Sequence, residues 1–201
     1  MFWYRIKILF DMKNIFILSG PSGAGEDSVI NGLKKTLPIE RVITTTSRAM
    51  REGDSQGSPY YFISPEEFEQ KITAGHFIEY AREYNNQLYG VTREELERVA
   101  QLGKTGKIGI WKIEWQGVIT AKKLFPGIIA ILISAPLEVL EARIRRRDNP
   151  DEAHLKERME YSREWLTHTD IYDYRIENQE GKLEETIAEA KRIIEQHAPK
   201  N

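Results

Sequence analysis

The sequence contains no cysteine among its 201 residues. This absence excludes a disulfide framework, a thiolate metal site and a cysteine nucleophile. Histidine is also scarce, and the histidines do not have the spacing of metal ligands. They are His76, His154, His168 and His197. We therefore expect each of them to be a surface or packing residue.

The chain also lacks a strong charge of either sign and a long hydrophobic run. A formal net charge of -2 argues against bulk attraction to nucleic acid or membrane, so any anion site must be built from individually placed Arg and Lys. The apolar start, MFWYRIKILFD, is shorter than the about 20 residues that span a bilayer, and it lacks a signal-peptide cleavage site. We expect a cytoplasmic protein in which this segment is an extra edge strand or precedes a true start at Met12.

The pattern of apolar residues predicts one α/β domain. Strands are predicted at 14–19, 41–45, 60–63, 107–113, 128–134 and 174–177, with another beginning at Phe77 in FIEYARE. Helices are predicted at 26–35, 65–73, 115–124, 136–146, 152–165 and 182–197. Such alternation indicates a parallel sheet covered by helices on both faces. The more polar stretch between residues 46 and 101 predicts an inserted subdomain.

The segment after the first predicted strand has the glycine spacing of a phosphate-binding loop, G-x-x-x-x-G. It reads SGPSGAGEDS, from Ser19 to Ser28. A strand, this loop and a helix together favour a nucleotide phosphate site, because backbone N–H groups and the helix N-terminus face the anion. Such loops continue with Lys and then Ser or Thr, whereas Glu26 and Asp27 follow here. From these residues alone, a tight strand–helix turn remains an equal alternative.

Arginines elsewhere could supply the positive charge that such a site needs. Arg48 and Arg51 lie in a glycine-containing loop, and their guanidinium groups match phosphate oxygens. A second group, Arg143 to Arg147, precedes the helix-breaking sequence DNPD. Taken separately, each group is more simply interpreted as solvated surface residues.

Taken together and in order, these motifs resemble guanylate kinase over nearly the whole chain from Met12 on. The family's T-T-R-x-P-R-x-G-E and D-Y-x-F pattern corresponds to TTSRAMREGDSQGSPYYF. Its F-x-E-W-A and Y-Y-G stretch corresponds to FIEYAREYNNQLYG, and its D-I-D-V-Q-G to KIEWQG. The lid entry R-L-x-x-R-G corresponds to RIRRRD, and the late V-N-D-D to IENQ.

The resemblance implies a P-loop NTPase-type parallel sheet flanked by helices, with a GMP-binding subdomain and a short lid. It implies a core of residues 12–45, 102–146 and 161–201, a GMP-binding subdomain of residues 46–101 and a lid of residues 147–160. It also implies ATP and GMP as substrates and Mg²⁺ as the cofactor. Neither nucleic acid nor a membrane is an expected partner.

Site residues follow from the same resemblance. The ATP phosphates would lie on the loop and the residues that follow it: Gly20, Pro21, Ser22, Gly23, Ala24, Gly25, Glu26, Asp27 and Ser28. GMP would contact Thr44, Arg48, Arg51, Asp54, Tyr60, Glu79, Tyr89 and Glu114. Within that set, Glu79 would accept hydrogen bonds from guanine. Arg143, Arg147 and Arg158 would close over the transferring phosphoryl group, and Asn178 would contact adenine.

The sequence departs from the family pattern at three positions. Glu26 replaces the loop Lys, Val91 stands where a Ser usually contacts the base, and Lys112 replaces the first Asp of D-I-D. Because the first and third are opposite charge reversals at sites that should be neighbours, they suggest a charge swap. Either Lys112 reaches the phosphates while Glu26 or Asp27, with Ser28, helps hold Mg²⁺, or Lys112 and Glu26 simply pair and fill the site.

Three functions follow from these alternatives. The first is ATP-dependent phosphorylation of GMP, with Lys112 replacing the loop Lys as a catalytic residue. The second is an inactive guanylate-kinase-like module that binds a nucleotide or a protein. The third is a kinase similar to ribose 1,5-bisphosphate phosphokinase, whose loop resembles G-x-x-x-x-G-K-D-S and so agrees with Asp27 and Ser28.

Overall fold

A computed structural model of the chain describes residues 11–82 and 86–199. The N-terminal segment that we expected to be an edge strand or an upstream extension lies, up to residue 10, outside the described residues. The strands, in chain order, are β1 (Ile15–Ser19), β2 (Ile39–Arg41), β3 (Thr44–Thr46), β4 (Ser55–Gln56), β5 (Pro59–Phe62), β6 (Phe77–Arg82), β7 (Leu88–Thr92), β8 (Ile108–Trp111), β9 (Ile129–Ser134) and β10 (Tyr174–Glu177).

Helices lie between these strands much as the sequence pattern predicted. They are α1 (Glu26–Leu33), α2 (Pro65–Thr73), α3 (Arg93–Leu102), α4 (Trp115–Leu124), α5 (Leu137–Asp148), α6 (Glu152–Thr167) and α7 (Leu183–His197). In the part of the chain that the structure describes, none of these helices has the length and apolar character needed to cross a bilayer.

The core is a five-stranded parallel sheet in the order β10-β9-β1-β8-β2. All five residues of central strand β1 are buried, as expected for a strand covered on both faces. Alternate β1 residues enter different apolar clusters: Phe16 and Leu18 pack with α1, α5 and α7, whereas Ile15 and Ile17 pack with α3 and α4. The predicted α/β class is confirmed.

A second sheet, in the order β4-β5-β3-β7-β6, carries the segment that we predicted as a subdomain. The predicted strand 41–45 is divided between the two sheets, because β2 ends at Arg41 in the core and β3 begins at Thr44 in the second sheet. At the crossing, the backbone N–H of Ile43 donates to Glu95 Oε1 at 2.7 Å. A side chain therefore satisfies the backbone where the chain leaves one sheet for the other.

Helix α3 was not assigned from the sequence. Its start has a recognisable signal, since Thr92 accepts a hydrogen bond from the backbone N–H of Glu95 at 3.3 Å, and Thr-x-x-Glu is a capping-box pattern. Leu96 and Val99 are buried in the same cluster as β1 and β8 residues. Although α3 falls within residues 46–101, it packs against the core sheet, and the proposed domain boundaries stay a prediction.

Candidate active site

The loop between β1 and α1 has a backbone that depends on its glycines. Gly23 and Gly25 adopt left-handed conformations with φ of 88° and 98°, which side-chain-bearing residues rarely tolerate. A Cβ at Gly20 would lie 2.2 Å from the carbonyl oxygen of Ile133. Gly25 also caps α1 without a side-chain hydrogen bond. This arrangement presents the helix N-terminus toward the loop, as an anion site requires.

Two predicted site residues brace this loop from the side of β10 and α5. The buried carboxamide of Asn178 donates from Nδ2 to the carbonyl oxygen of Ala24 at 2.7 Å. Arg143 donates to the carbonyl oxygens of Gly23 at 3.3 Å and of Asn178 at 2.9 Å. Both side chains therefore help fix the loop conformation. Contact of Asn178 with adenine stays a prediction.

The other two predicted lid arginines share one acid at the α5–α6 junction. Arg147 forms a bidentate pair with Asp148, at 2.8 Å for each contact. Arg158 also pairs with Asp148, and its other terminal nitrogen donates to Ser22 Oγ in the loop. Arg158 is only 10% exposed, whereas Arg147 is 59% exposed. The structure thus brings Arg143 and Arg158 into contact with the loop, and Arg147 is linked to Arg158 through Asp148.

At the end of the loop lies a cluster of four charged side chains. Lys112, just beyond β8, places its Nζ 2.7 Å from Asp27 Oδ2 in the first turn of α1. Arg41, the last residue of β2, places Nη1 2.9 Å from the other carboxylate oxygen of Asp27. Glu26, the fourth member, is buried beside them. The two reversed charges predicted from the sequence are therefore neighbours, but the direct partner of Lys112 is Asp27.

The protonation of this cluster follows from burial and charge. Burial raises the pKa of Glu26 above its usual value, although Lys112 and the backbone N–H groups of Glu26 and Gly25 act in the opposite direction. Partial desolvation by the surrounding protein opposes ionisation of Asp27, but the charges of Lys112 and Arg41 outweigh it and lower the Asp27 pKa. For Lys112, burial is outweighed by the charges of Glu26 and Asp27, so the pKa rises. Lys112 is therefore a cation at neutral pH.

The second sheet carries the arginine that the sequence linked to phosphate. Arg48 is buried and donates to Asp54 Oδ2 at 2.8 Å. Its guanidinium carbon lies 5.5 Å from the ring centre of Tyr60, within cation–π range, and Tyr60 meets the Tyr89 ring edge-on. The Asp54 pKa is lowered by hydrogen bonds from the Arg51 backbone and the Arg48 side chain. Arg51 itself is exposed, and its backbone N–H is the group that contacts Asp54.

Glu79 on β6 is a buried carboxyl group facing the same region. Burial raises its pKa to about 8, partly offset by a hydrogen bond from the backbone of Val91. Helix α4 approaches closely here, since a Cβ at Gly117 would lie 2.9 Å from Glu79 Oε2. Glycine at that position therefore allows α4 to pack against the carboxyl group without displacing it.

Glu114 and three aromatic residues complete this side of the site. Tyr161 on α6 donates its hydroxyl proton to Glu114 Oε2 at 2.9 Å. Trp165, one turn further along α6, donates to the Tyr172 hydroxyl, which in turn lies 2.9 Å from Ser19 Oγ beside the loop. The sequence analysis did not identify Tyr161 or Arg41 as site residues. Neither has a local sequence signal, because each is defined by a partner far away in the chain.

One cavity joins the two halves of the predicted site. It is lined by Glu26, Thr44, Tyr60, Glu79, Ala81, Tyr89, Lys112, Ile113, Glu114 and Trp165. Of the residues predicted to bind the acceptor, Thr44, Tyr60, Glu79, Tyr89 and Glu114 therefore lie in the same cavity as the charge-reversed pair, whereas Arg48, Arg51 and Asp54 do not line it. Among the predicted Mg²⁺ residues, Asp27 is 56% exposed and Ser28 is exposed on the first turn of α1. Within residues 11–82 and 86–199, no three His, Cys, Asp or Glu side chains converge as a ready-made metal site.

The chain is similar to known proteins over most of its length. The family model described as guanylate kinase matches residues 12–197. The chain is 34% identical to a guanylate kinase of Alcanivorax borkumensis over 190 residues, covering 92% of this chain and 90% of the relative. It is 36% identical to that of Idiomarina loihiensis over 171 residues, covering 83% and 80%. The crystal structure of guanylate kinase from Anaplasma phagocytophilum is similar with a TM-score of 0.71 and 28% identity, covering 93% of this chain and 87% of that one.

Proposed function

The chain belongs to the guanylate kinase family, and we propose that it transfers the γ-phosphoryl group of ATP to GMP with Lys112 in place of the loop lysine. One observation carries the proposal. The Lys112 ammonium is bonded to the first turn of α1, at the end of the loop, and also lines the cavity that contains Tyr60 and Glu79. A cation there would lie between the proposed ATP and GMP sides of the site.

The position of Lys112 in the sheet supports this role. β8 is the parallel neighbour of β1, so the residue after β8 and the loop after β1 emerge at the same sheet edge. In open α/β sheets this edge is where ligands bind. Lys112 is charged at neutral pH, and at about 4 Å with an effective dielectric near 20 a unit charge pair is worth roughly 4 kcal/mol. Such an interaction would compensate for much of what the loop loses with its lysine.

Glu26 needs a role compatible with phosphate binding. Its raised pKa, caused mainly by burial, favours a proton on the carboxyl group more than in an ordinary Glu. A neutral Glu26 would repel ATP less than a carboxylate, so the loop could accept phosphate without a lysine of its own. The alternative is that Glu26 and Asp27 hold Lys112 permanently and fill the site, which is the inactive-module hypothesis.

The residues on the acceptor side of the site favour GMP as the molecule that receives the phosphoryl group. A carboxylate at Glu79 would accept hydrogen bonds from guanine N1–H and the exocyclic amine, whereas adenine offers a different donor pattern. Arg48 and Arg51, with Tyr60 and Tyr89, would hold the GMP phosphate, since guanidinium and hydroxyl donors suit phosphate oxygens. Thr44 and Glu114 line the same cavity and complete the predicted acceptor set.

The donor side would rely on the loop and the lid arginines. Arg143 and Arg158 already contact the loop, and Arg147 is linked to Arg158 through Asp148, so their charges would act on a phosphoryl group bound at the loop. Asp27 is 56% exposed, and once Lys112 turns from its Oδ2 toward the phosphates, that oxygen together with Ser28 would suit Mg²⁺, which usually takes one or two protein oxygens plus substrate phosphates. When bound, Mg²⁺ would neutralise charge on the phosphate oxygens.

The decisive experiment measures ADP release from Mg²⁺-ATP with GMP, AMP or ribose 1,5-bisphosphate as the acceptor. We expect GMP to be preferred. Lys112→Ala should lose most of kcat while its GMP dissociation constant stays within about twofold, because the interaction is made mainly in the transition state. Lys123→Ala, on the exposed face of α4, is the matched control.

Other outcomes separate the alternatives. No turnover with any acceptor, together with unchanged ATP binding in Lys112→Ala, would favour the inactive module. Turnover with ribose 1,5-bisphosphate above that with GMP would favour the sugar-phosphate kinase. We also propose a cytoplasmic location, where both nucleotides are available.

A further inference from the structure

Asp27 contacts two cations through different oxygens. Lys112 Nζ lies 2.7 Å from Oδ2, and Arg41 Nη1 lies 2.9 Å from Oδ1. The Arg41 side chain is 18% exposed and that of Lys112 is 24% exposed. Asp27 can therefore lose one of these partners and still remain paired with the other.

The sheet holds Arg41 in place for this contact. β2 pairs with β8 in parallel, with Arg41 opposite Ile110, so Arg41 and Lys112 emerge at the same edge and face the first turn of α1. The Arg41 carbonyl also accepts a hydrogen bond from Arg98, which is itself paired with Glu40 and Glu95. Arg41 thus approaches Asp27 from a fixed backbone.

The direct ion pairs show why a second cation matters. Asp27 is paired directly with two bases, Lys112 and Arg41. The charge of Arg147 also acts on Asp27, but the direct partner of Arg147 is Asp148. If Lys112 turns its N–H donors toward a phosphoryl group, it gives up part of its interaction with Asp27. Without Arg41, Asp27 would keep no direct ion pair with the protein after that step, and its negative charge would oppose the release of Lys112.

We propose that Arg41 is a positioning residue that keeps Asp27 paired and thereby releases Lys112 to the transferring phosphoryl group. The inference rests on the proposed function, since it gives Lys112 its phosphate role. Arg41 acts through Asp27 and does not line the acceptor cavity. Its loss should therefore affect ATP binding and the chemical step, and should leave GMP binding unchanged.

The test is a double-mutant cycle on purified protein. Arg41→Met should lower kcat and weaken Mg²⁺-ATP binding by about tenfold each, a typical scale for coupled charges, with KM for GMP within about twofold of wild type. Arg41→Lys, which retains the charge, should recover most of the loss. In an Asp27→Asn background, Arg41→Met should cost less than about threefold, because no carboxylate charge remains to be held. Arg163→Met, exposed on α6, is the matched control.

Two results would overturn the proposal. The first is Arg41→Met with wild-type kcat and ATP affinity; the second is an equal loss in the wild-type and Asp27→Asn backgrounds, as a purely structural role would give. If wild-type protein releases no ADP with GMP, the proposed function fails separately. The cycle is then read from Mg²⁺-ATP dissociation constants by calorimetry, where equal values for wild type and Arg41→Met would reject the role of Arg41.

Discussion

The substitution Glu79→Gln tests whether the protein keeps a buried carboxyl group for guanine at the expense of its own stability. Glutamine has nearly the same shape as glutamic acid but cannot ionise. Burial raises the Glu79 pKa from 4.5 to about 8, so the folded protein holds a proton there that the unfolded chain releases. Glu79 therefore contributes most to stability below pH 4.5, and that contribution is lost as the pH rises through about 8.

The size of this loss in stability follows from the difference between the two pKa values. One pKa unit corresponds to about 1.4 kcal/mol, so the complete loss is roughly 5 kcal/mol. Between about pH 5.5 and pH 8.5, the linkage relation gives a loss of about 3 kcal/mol. Glu79→Gln removes this titration. Its free energy of unfolding, relative to wild type, should therefore rise by about 3 kcal/mol over the same interval.

The measurement is urea unfolding of both proteins at pH 5.5 and pH 8.5 without nucleotide. The other titrating groups are common to the two proteins, so the difference between them isolates Glu79. Parallel pH profiles for wild type and Glu79→Gln would refute the reasoning, because a carboxyl group with an ordinary pKa would not distinguish these two pH values.

The affinity for GMP should depend on pH in the opposite direction to the free energy of unfolding. Guanine would bind the ionised carboxylate, so wild-type affinity for GMP should increase as the pH rises toward about 8. Glu79→Gln should lose this dependence and bind GMP more weakly by about 1–3 kcal/mol, since a buried donor is left unmatched. GMP-binding experiments at several pH values measure the effect. Glu79→Gln serves as the reference, because any pH dependence that comes from ionisation of GMP itself is common to both proteins. Equal wild-type affinity for GMP and AMP would contradict the assignment.

Three further predictions concern the loop and the acceptor cavity. Glu26→Lys combined with Lys112→Asp should keep or raise turnover, whereas Glu26→Lys alone should lower turnover because it places two cations side by side. A double variant that is less active than both single variants would argue against the charge swap. Asn178→Ala should lower the free energy of unfolding by about 1–3 kcal/mol, because a buried loop carbonyl loses its partner, and an unchanged urea midpoint would contradict that bracing role. Gly117→Ala should raise KM for GMP roughly tenfold, equivalent to about 1.4 kcal/mol, because its Cβ would displace the Glu79 carboxyl group; a normal KM would show that α4 can move aside.

The sequence alone was enough to predict the α/β class and several elements to the residue. Helix α2 runs from Pro65 to Thr73 as predicted, because Ser64 caps it and Pro65 suits the first turn. Strand β10 and helix α4 also have the predicted bounds. These signals are local, since caps, prolines and apolar periodicity act within a few residues. The motifs that resemble guanylate kinase were equally readable, because each occupies a short stretch of chain.

Tertiary structure decided which charges meet. One of the two alternatives that the sequence left open paired Lys112 with Glu26, whereas in the structure Lys112 pairs with Asp27 and shares it with Arg41. It also decided that residues 41–45 belong to two sheets. Both outcomes depend on how β2, β8 and α1 pack, and those elements are far apart in the chain. Sequence patterns report the face or cap of a single element, but the direction of a charged side chain depends on the neighbours that folding brings to it.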